Sequence, residues 1–213
     1  MSPLAALLAI VTAVLIGAIS PGPSFLFVTR ISIAQSRMHG LATAIGMGAG
    51  GTVFASLALL GLAALLNQVA WLYLALKLAG GCYLVWLGLR IWRGAAEPLP
   101  SIGTVPVENR SLWRSVLFAT LTQLSNPKTA VVYASIFAAM LPAAPPAWLL
   151  LLLPPLVFVV EAGWYAVVAL VFSADYPRAA YSRGKLWVDR LAGTAMGLLG
   201  LRLIIDGIGL RKL

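Results

Sequence analysis

The stretch that decides the fold is AISPGPSFLFVTR, Ala18 to Arg30. It sits inside an apolar run that would otherwise read as one continuous helix. Pro21 and Pro23 lack an amide hydrogen, so the carbonyls of Gly17 and Ile19 lose their usual helical donors. Ser20, preceding a proline, is biased out of the helical region. Pro23 suits the first turn of a new helix, where a missing N–H costs nothing. The pattern predicts a broken helix that restarts near Gly22–Ser24. The free N–H groups and positive dipole end of the second piece would then suit a carboxylate.

The surroundings make this a membrane problem. The chain has 213 residues, 61% of them hydrophobic and 10% charged. A soluble domain carries about 45–50% apolar and about 25% charged residues, and could not cover this much apolar side chain with polar surface. Six apolar segments are long enough to span about 30 Å of hydrocarbon. They run about 4–28, 41–66, 71–92, 112–141, 147–172 and 191–210. Met1–Ser20 has no basic leader region and no polar domain after it, so it reads as a retained helix rather than a secretory signal.

The net charge of +9 arises from 15 Lys and Arg against 6 Asp and Glu. In a soluble protein this would suggest nucleic acid. Here the cations cluster in connections. Arg30, Arg37, Arg90, Arg93, Arg110, Arg114, Arg178, Arg183, Lys185 and Arg190 follow segments one, three and five. The other side holds only Lys77, Arg211 and Lys212, with Arg202 near the end of segment six. The bias makes the first side cytoplasmic and places both termini in the periplasm. Arg202 and Asp206 are spaced to pair at i,i+4. Gly94–Asn109 reads as the one long loop, Tyr176–Lys185 as a basic turn, and His39, the only histidine, as a turn residue. The single cysteine, Cys82, excludes an internal disulfide and a Cys-based metal site. No cofactor or metal is expected.

The chain also echoes itself. KLAGGCYLVWLGLR (Lys77–Arg90) resembles RLAGTAMGLLGLR (Arg190–Arg202), and the SPGP break at Ser20–Pro23 is echoed by SNPK at Ser125–Lys128. Two halves of three helices each, an odd number, would enter the membrane from opposite sides as an inverted repeat. The fold class expected is therefore all-α, six spans in two inverted three-helix repeats, with helices one and four broken at prolines. It is a single domain, 1–213, with repeats 1–93 and 112–213 joined by a cytoplasmic loop at 94–111.

Within segment four, Asn126-Pro127-Lys128 places a cation at depth, and segment five holds Glu161 at depth. Intramembrane charges mark functional sites by default, and these two are each other's expected partners. Gln123, Ser125 and Asn126 would line the same space. Gly46 and Gly50 form a GxxxG that allows close helix approach and flanks the pathway. Trp71, Trp92, Trp113, Trp148 and Trp187 read as interfacial belt residues. Trp164 and Tyr165 are candidate cavity walls. Walker A, HExxH and GxSxG signatures are absent from the sequence. An intramembrane enzyme therefore has no visible machinery, and a small-molecule channel would want a polar stripe that segment two lacks.

Taken together, PGPSFLFVTR, RMHGLATAIGMGAG, LAGGCYLVWLGLR and LSNPKTAVVYASIF resemble the LysE/RhtB family of bacterial amino-acid exporters, in order and over nearly the whole chain. The resemblance implies an inner-membrane exporter of amino acids or close derivatives, an antiporter driven by the proton motive force. It carries over Pro21, Gly22 and Pro23 as one signature and Asn126, Pro127 and Lys128 as the other. Glu161 falls where the family often has an acid in helix five. The chain departs from the family at Gly51-Thr52, where many members have an acid, and at Ser24, where an Asn is common. The expected substrate or coupling residues are thus Ser20, Pro21, Gly22, Pro23, Ser24, Gly46, Gly50, Gln123, Asn126, Pro127, Lys128 and Glu161. The expected partners are a small amino-acid substrate and the lipid bilayer, with no nucleic acid; a homodimer is compatible with this reading.

Overall fold

A computed structural model describes residues 2–20, 22–66, 70–97, 111–171 and 175–209. Over these the chain is entirely helical. Its elements are α1 (Pro3–Ile19), α2 (Pro23–Ala34), α3 (Arg37–Leu66), α4 (Ala70–Gly94), α5 (Leu112–Leu124), α6 (Pro127–Met140), α7 (Ala147–Val171) and α8 (Asp175–Gly209). The first and fourth apolar segments are each split at their proline motif, and the other four are single helices. Taken alone, two helices are long and apolar enough to cross a bilayer, Arg37–Gly61 of α3 and all of α7. The pair α1 and α2, bent by 57°, adds a third if counted as one span.

Each break has a local cause. Ser20 leaves α1 in an extended conformation, and α2 restarts with Pro23 in its first turn behind Gly22. Pro21 lies outside the described residues. At the second break, Asn126 is extended, Pro127 opens α6, and the Asn126 side chain accepts from the Lys128 amide at 3.1 Å. Ser2 and Ser111 cap α1 and α5 through the same kind of bond.

Packing follows membrane logic, in which small residues let backbones approach closely. On α3, Gly46 and Gly50 face α5. A Cβ on Gly46 would strike the Val116 carbonyl oxygen, and one on Gly50 would lie 2.6 Å from Gln123 Cβ. Gly48 faces α7, with Ala162 Cβ 2.8 Å from its would-be Cβ. The most extensive helix pair is α4 with α8. It crosses at two glycine contacts, Gly88 on Gly193 and Gly81 on Gly200. Buried apolar residues form two clusters. The larger joins α1, α4, α6, α7 and α8 around Ile10, Leu84, Phe137, Leu153 and Met196. The smaller joins α2, α3, α5 and α7 around Phe25, Met47 and Val168. Large apolar side chains also point outward, among them Leu60, Leu151, Val159, Leu191 and Ile205. Cys82 is exposed on α4.

Three expectations are corrected. The basic stretch Tyr176–Lys185 is not a turn but the first part of α8. There a Lys185–Asp189 ion pair bridges successive helical turns. His39 is not in a turn but in the first turn of α3, its Nδ1 2.8 Å from Ser36 Oγ. The expected loop Gly94–Asn109 is described only to Glu97, whose amide closes a turn onto the Gly94 carbonyl at 3.0 Å. The Asp206 side chain, the partner expected for Arg202, and that of Lys77 lie outside the described residues.

Candidate functional site

The two breaks open into one cavity. Ser20, Gly22, Pro23 and Ser24 come to it from the α1–α2 junction. Gln123, Asn126 and Lys128 come from the α5–α6 junction, and Glu161 from α7. Its apolar walls include Val14 and Val132 from the larger cluster and Phe25 and Tyr165 from the smaller, so it lies where the clusters meet. The volume is about 40 Å³, room for roughly three waters and less than an amino acid needs.

A buried hydrogen-bond chain crosses this space. Gln123 Nε2 donates to Glu161 Oε2 at 2.8 Å, and Tyr133 Oη donates to Glu161 Oε1 at 2.8 Å. Ser24 Oγ donates to Gln123 Oε1 at 2.7 Å, and Asn126 Nδ2 donates to Ser24 Oγ at 3.3 Å. The Gln123 amide has only one sensible orientation here. An ionised carboxylate only accepts, so Nε2 must face Glu161 and leave Oε1 for the serine. Gln123, Ser24 and Glu161 are all buried, and a network of satisfied polar groups in a low dielectric holds its members rigidly.

Lys128 occupies the other end. Its Nζ lies 3.3 Å from where a Cβ on Gly22 would sit, so the amine rests across the start of α2 and requires a glycine there. The expected Lys128–Glu161 pair is not formed. The described residues contain a single ion pair, Lys185–Asp189, and both Glu161 oxygens are taken by Gln123 and Tyr133. The cavity instead has separated poles, with an ammonium and two helix N-termini at one and a carboxylate at the other.

Of the other sequence-predicted residues, Gly46 and Gly50 sit on the α3–α5 seam and not in the cavity wall. Ser125 ends α5 and is exposed. Tyr165 lines the cavity, whereas Trp164 does not. Pro127 opens α6, and its side chain is not described. Sequence reasoning missed Tyr133 and Gly51. A tyrosine in the middle of an apolar helix, away from the interfacial belt, is a signal that could have found the first. Gly51 leaves the room that the carboxylate fills: a Cβ there would lie 2.7 Å from Glu161 Oε2 and 2.9 Å from Tyr133 Oη.

A helical bundle with apolar outward faces and polar groups turned inward is a multi-pass membrane protein. The chain belongs to the LysE type translocators, whose family profile matches residues 15–207. It is 32% identical to the threonine efflux protein of Escherichia coli over 90% of this chain and 94% of that protein. The threonine efflux protein of Salmonella typhimurium gives the same identity and coverage. The membrane protein YahN of Escherichia coli is 30% identical over 98% of this chain and 93% of its own length. No solved structure matches the chain.

Proposed function

We propose that the protein exports amino acids or close derivatives across the bacterial inner membrane, as a secondary transporter driven by the proton motive force. The observation that carries this is the cavity with separated poles. Lys128 and the α2 N-terminus suit a carboxylate, and Glu161 suits an ammonium, so the occupant they fit together is a zwitterion. The relatives named for threonine efflux support the same substrate class.

Coupling follows from Glu161. A carboxylate that holds either a proton or a substrate ammonium, but not both, exchanges one for the other. Substrate leaving to the periplasm is replaced by a proton, which is released to the cytoplasm when the next substrate binds. This is antiport, and each flux requires the other. The small cavity corresponds to a closed form that must widen on each side in turn. Gln123 bridges Ser24 on α2 and Glu161 on α7, so motion at either break reaches the carboxylate.

The architecture that serves this has six spans: α1 with α2, α3, α4, α5 with α6, α7 and α8. They form two inverted repeats, 1–93 and 112–213, of one domain, with both termini in the periplasm. The recurrent proline breaks and the paired glycine crossings of α4 and α8 support it. Counterflow in proteoliposomes with a panel of labelled amino acids tests the function. At least one zwitterionic substrate is expected to exchange. Lys128→Ala and Glu161→Ala are each expected to abolish export with the protein still in the membrane; normal export by both would sink the site assignment.

A further inference from the structure

Outside the cavity, one buried charged cluster remains unexplained. Lys185 Nζ lies 2.8 Å from Asp189 Oδ2, with the two side chains only 9% and 5% exposed. The same ammonium donates to the carbonyl oxygens of Gly94 at 3.1 Å and Ala95 at 3.4 Å, where α4 ends. A helix C-terminus presents carbonyls and the negative end of its dipole. Two carbonyls and a carboxylate on one amine form a receptor for a primary ammonium, with one acceptor for each of its three N–H groups. Its occupant here is an ammonium of the chain itself.

The receptor has capacity to spare. Asp189 Oδ1 is buried without a hydrogen-bond partner, and a buried acceptor left unmade is costly. The nearby guanidinium groups are engaged elsewhere, Arg190 over the Trp92 ring at 5.0 Å and Arg90 over Trp86 at 5.3 Å. Lys128 and Asp189 act on one another electrostatically, which places the cluster within reach of the cavity's cationic pole.

We propose that Asp189 with the Gly94 and Ala95 carbonyls is a second ammonium site, which takes the primary ammonium of the transported compound when Lys185 withdraws. Lys185 is then a tethered competitor that fills the site while no substrate is present. The substrate's identity rests on the export reading above, whereas the site's preference for primary ammonium does not.

The test is chemical rescue. In Lys185→Ala, n-propylammonium replaces the atoms that the substitution removes. Purified Lys185→Ala protein is expected to show a saturable rise in unfolding midpoint with n-propylammonium and none with tetramethylammonium, which has no N–H. The wild type and the Lys185→Ala/Asp189→Asn double variant are expected not to respond. No rise in Lys185→Ala, or an equal rise in the wild type, overturns the proposal. Should Lys185→Ala fail to accumulate, Asp189→Asn serves alone. Its KM for efflux is expected to rise about tenfold with little change in maximal rate, and an unchanged KM overturns the proposal. The midpoint shift needs no transport, so a rise without any efflux would count against the export reading and leave the ammonium site standing.

Discussion

Gly51→Ala is a one-carbon test of the carboxylate pole. The new Cβ would lie 2.7 Å from Glu161 Oε2, 2.9 Å from Glu161 Cδ and 2.9 Å from Tyr133 Oη. Comfortable contact needs about 3.5 Å, so the carboxylate must withdraw by roughly 0.8 Å. The backbone has no reason to yield, because the obstacle is the tip of a flexible side chain. That tip is held by two hydrogen bonds of 2.8 Å, from Gln123 and Tyr133. Displacement stretches at least one beyond useful length. A hydrogen bond to a charged group contributes about 1.5–3 kcal/mol, so the expected loss is about 3 kcal/mol. For a chain of this size that lowers the unfolding midpoint by roughly 6–12 °C. Efflux should fall with it, since the pole has moved. Gly61→Ala is the control: a Cβ there meets nothing within 4 Å, and the change should be neutral or slightly stabilising. Adding Glu161→Ala to Gly51→Ala should recover much of the midpoint, but no efflux. A Gly51→Ala protein with wild-type midpoint and wild-type efflux in proteoliposomes would refute the reasoning.

Two further outcomes bear on architecture and orientation. Gly88→Leu puts a side chain against the Gly193 carbonyl and the Gly197 amide nitrogen, its Cβ 2.7 Å from the latter. It should force α4 from α8 and sharply lower the amount of folded protein in the membrane; a wild-type yield and midpoint would count against that seam. A cysteine replacing Arg183 should resist a membrane-impermeant thiol reagent applied from the periplasm, and ready labelling there would reverse the assigned orientation.

The breaks were legible because proline acts locally. Removing an amide hydrogen and displacing the preceding residue are effects of one or two positions, so SPGP and SNPK announce two restarts without any tertiary knowledge. The converse signal misleads. Pro154 and Pro155 stand inside α7, and the helix continues through them. Leu149, Leu153 and Val157, all fully buried along one face, hold that stretch to a helical course that its local preference opposes. The start of α8 is a similar case. A basic stretch looks like a connection until Lys185 finds acceptors at the end of α4, distant in sequence. The polar residues nearest the breaks were found because they are rare in apolar segments. Gly51 and Tyr133 were not, since the room a glycine leaves depends on which side chain arrives from another helix.

The two breaks, alike in sequence, are unlike in what completes them. The α6 N-terminus is capped by its own Asn126 side chain. At α2 the capping position is Gly22, which has no side chain to give. Against it lies Lys128 Nζ, a cation beside the positive end of a helix, which is the wrong sign for a cap. Among the described residues no carboxylate pairs with that ammonium. Glycine at 22 is also what admits the amine, because a Cβ would crowd it at 3.3 Å. Two positive ends held together without a counter-charge raise the energy of the empty site, and an anion placed between them lowers it. On the export reading, the substrate carboxylate therefore belongs at Gly22–Ser24, and its ammonium reaches toward Glu161. The proline break then does more than bend a helix. It leaves an uncapped N-terminus that the cargo itself completes, so a solute without a carboxylate forgoes that stabilisation.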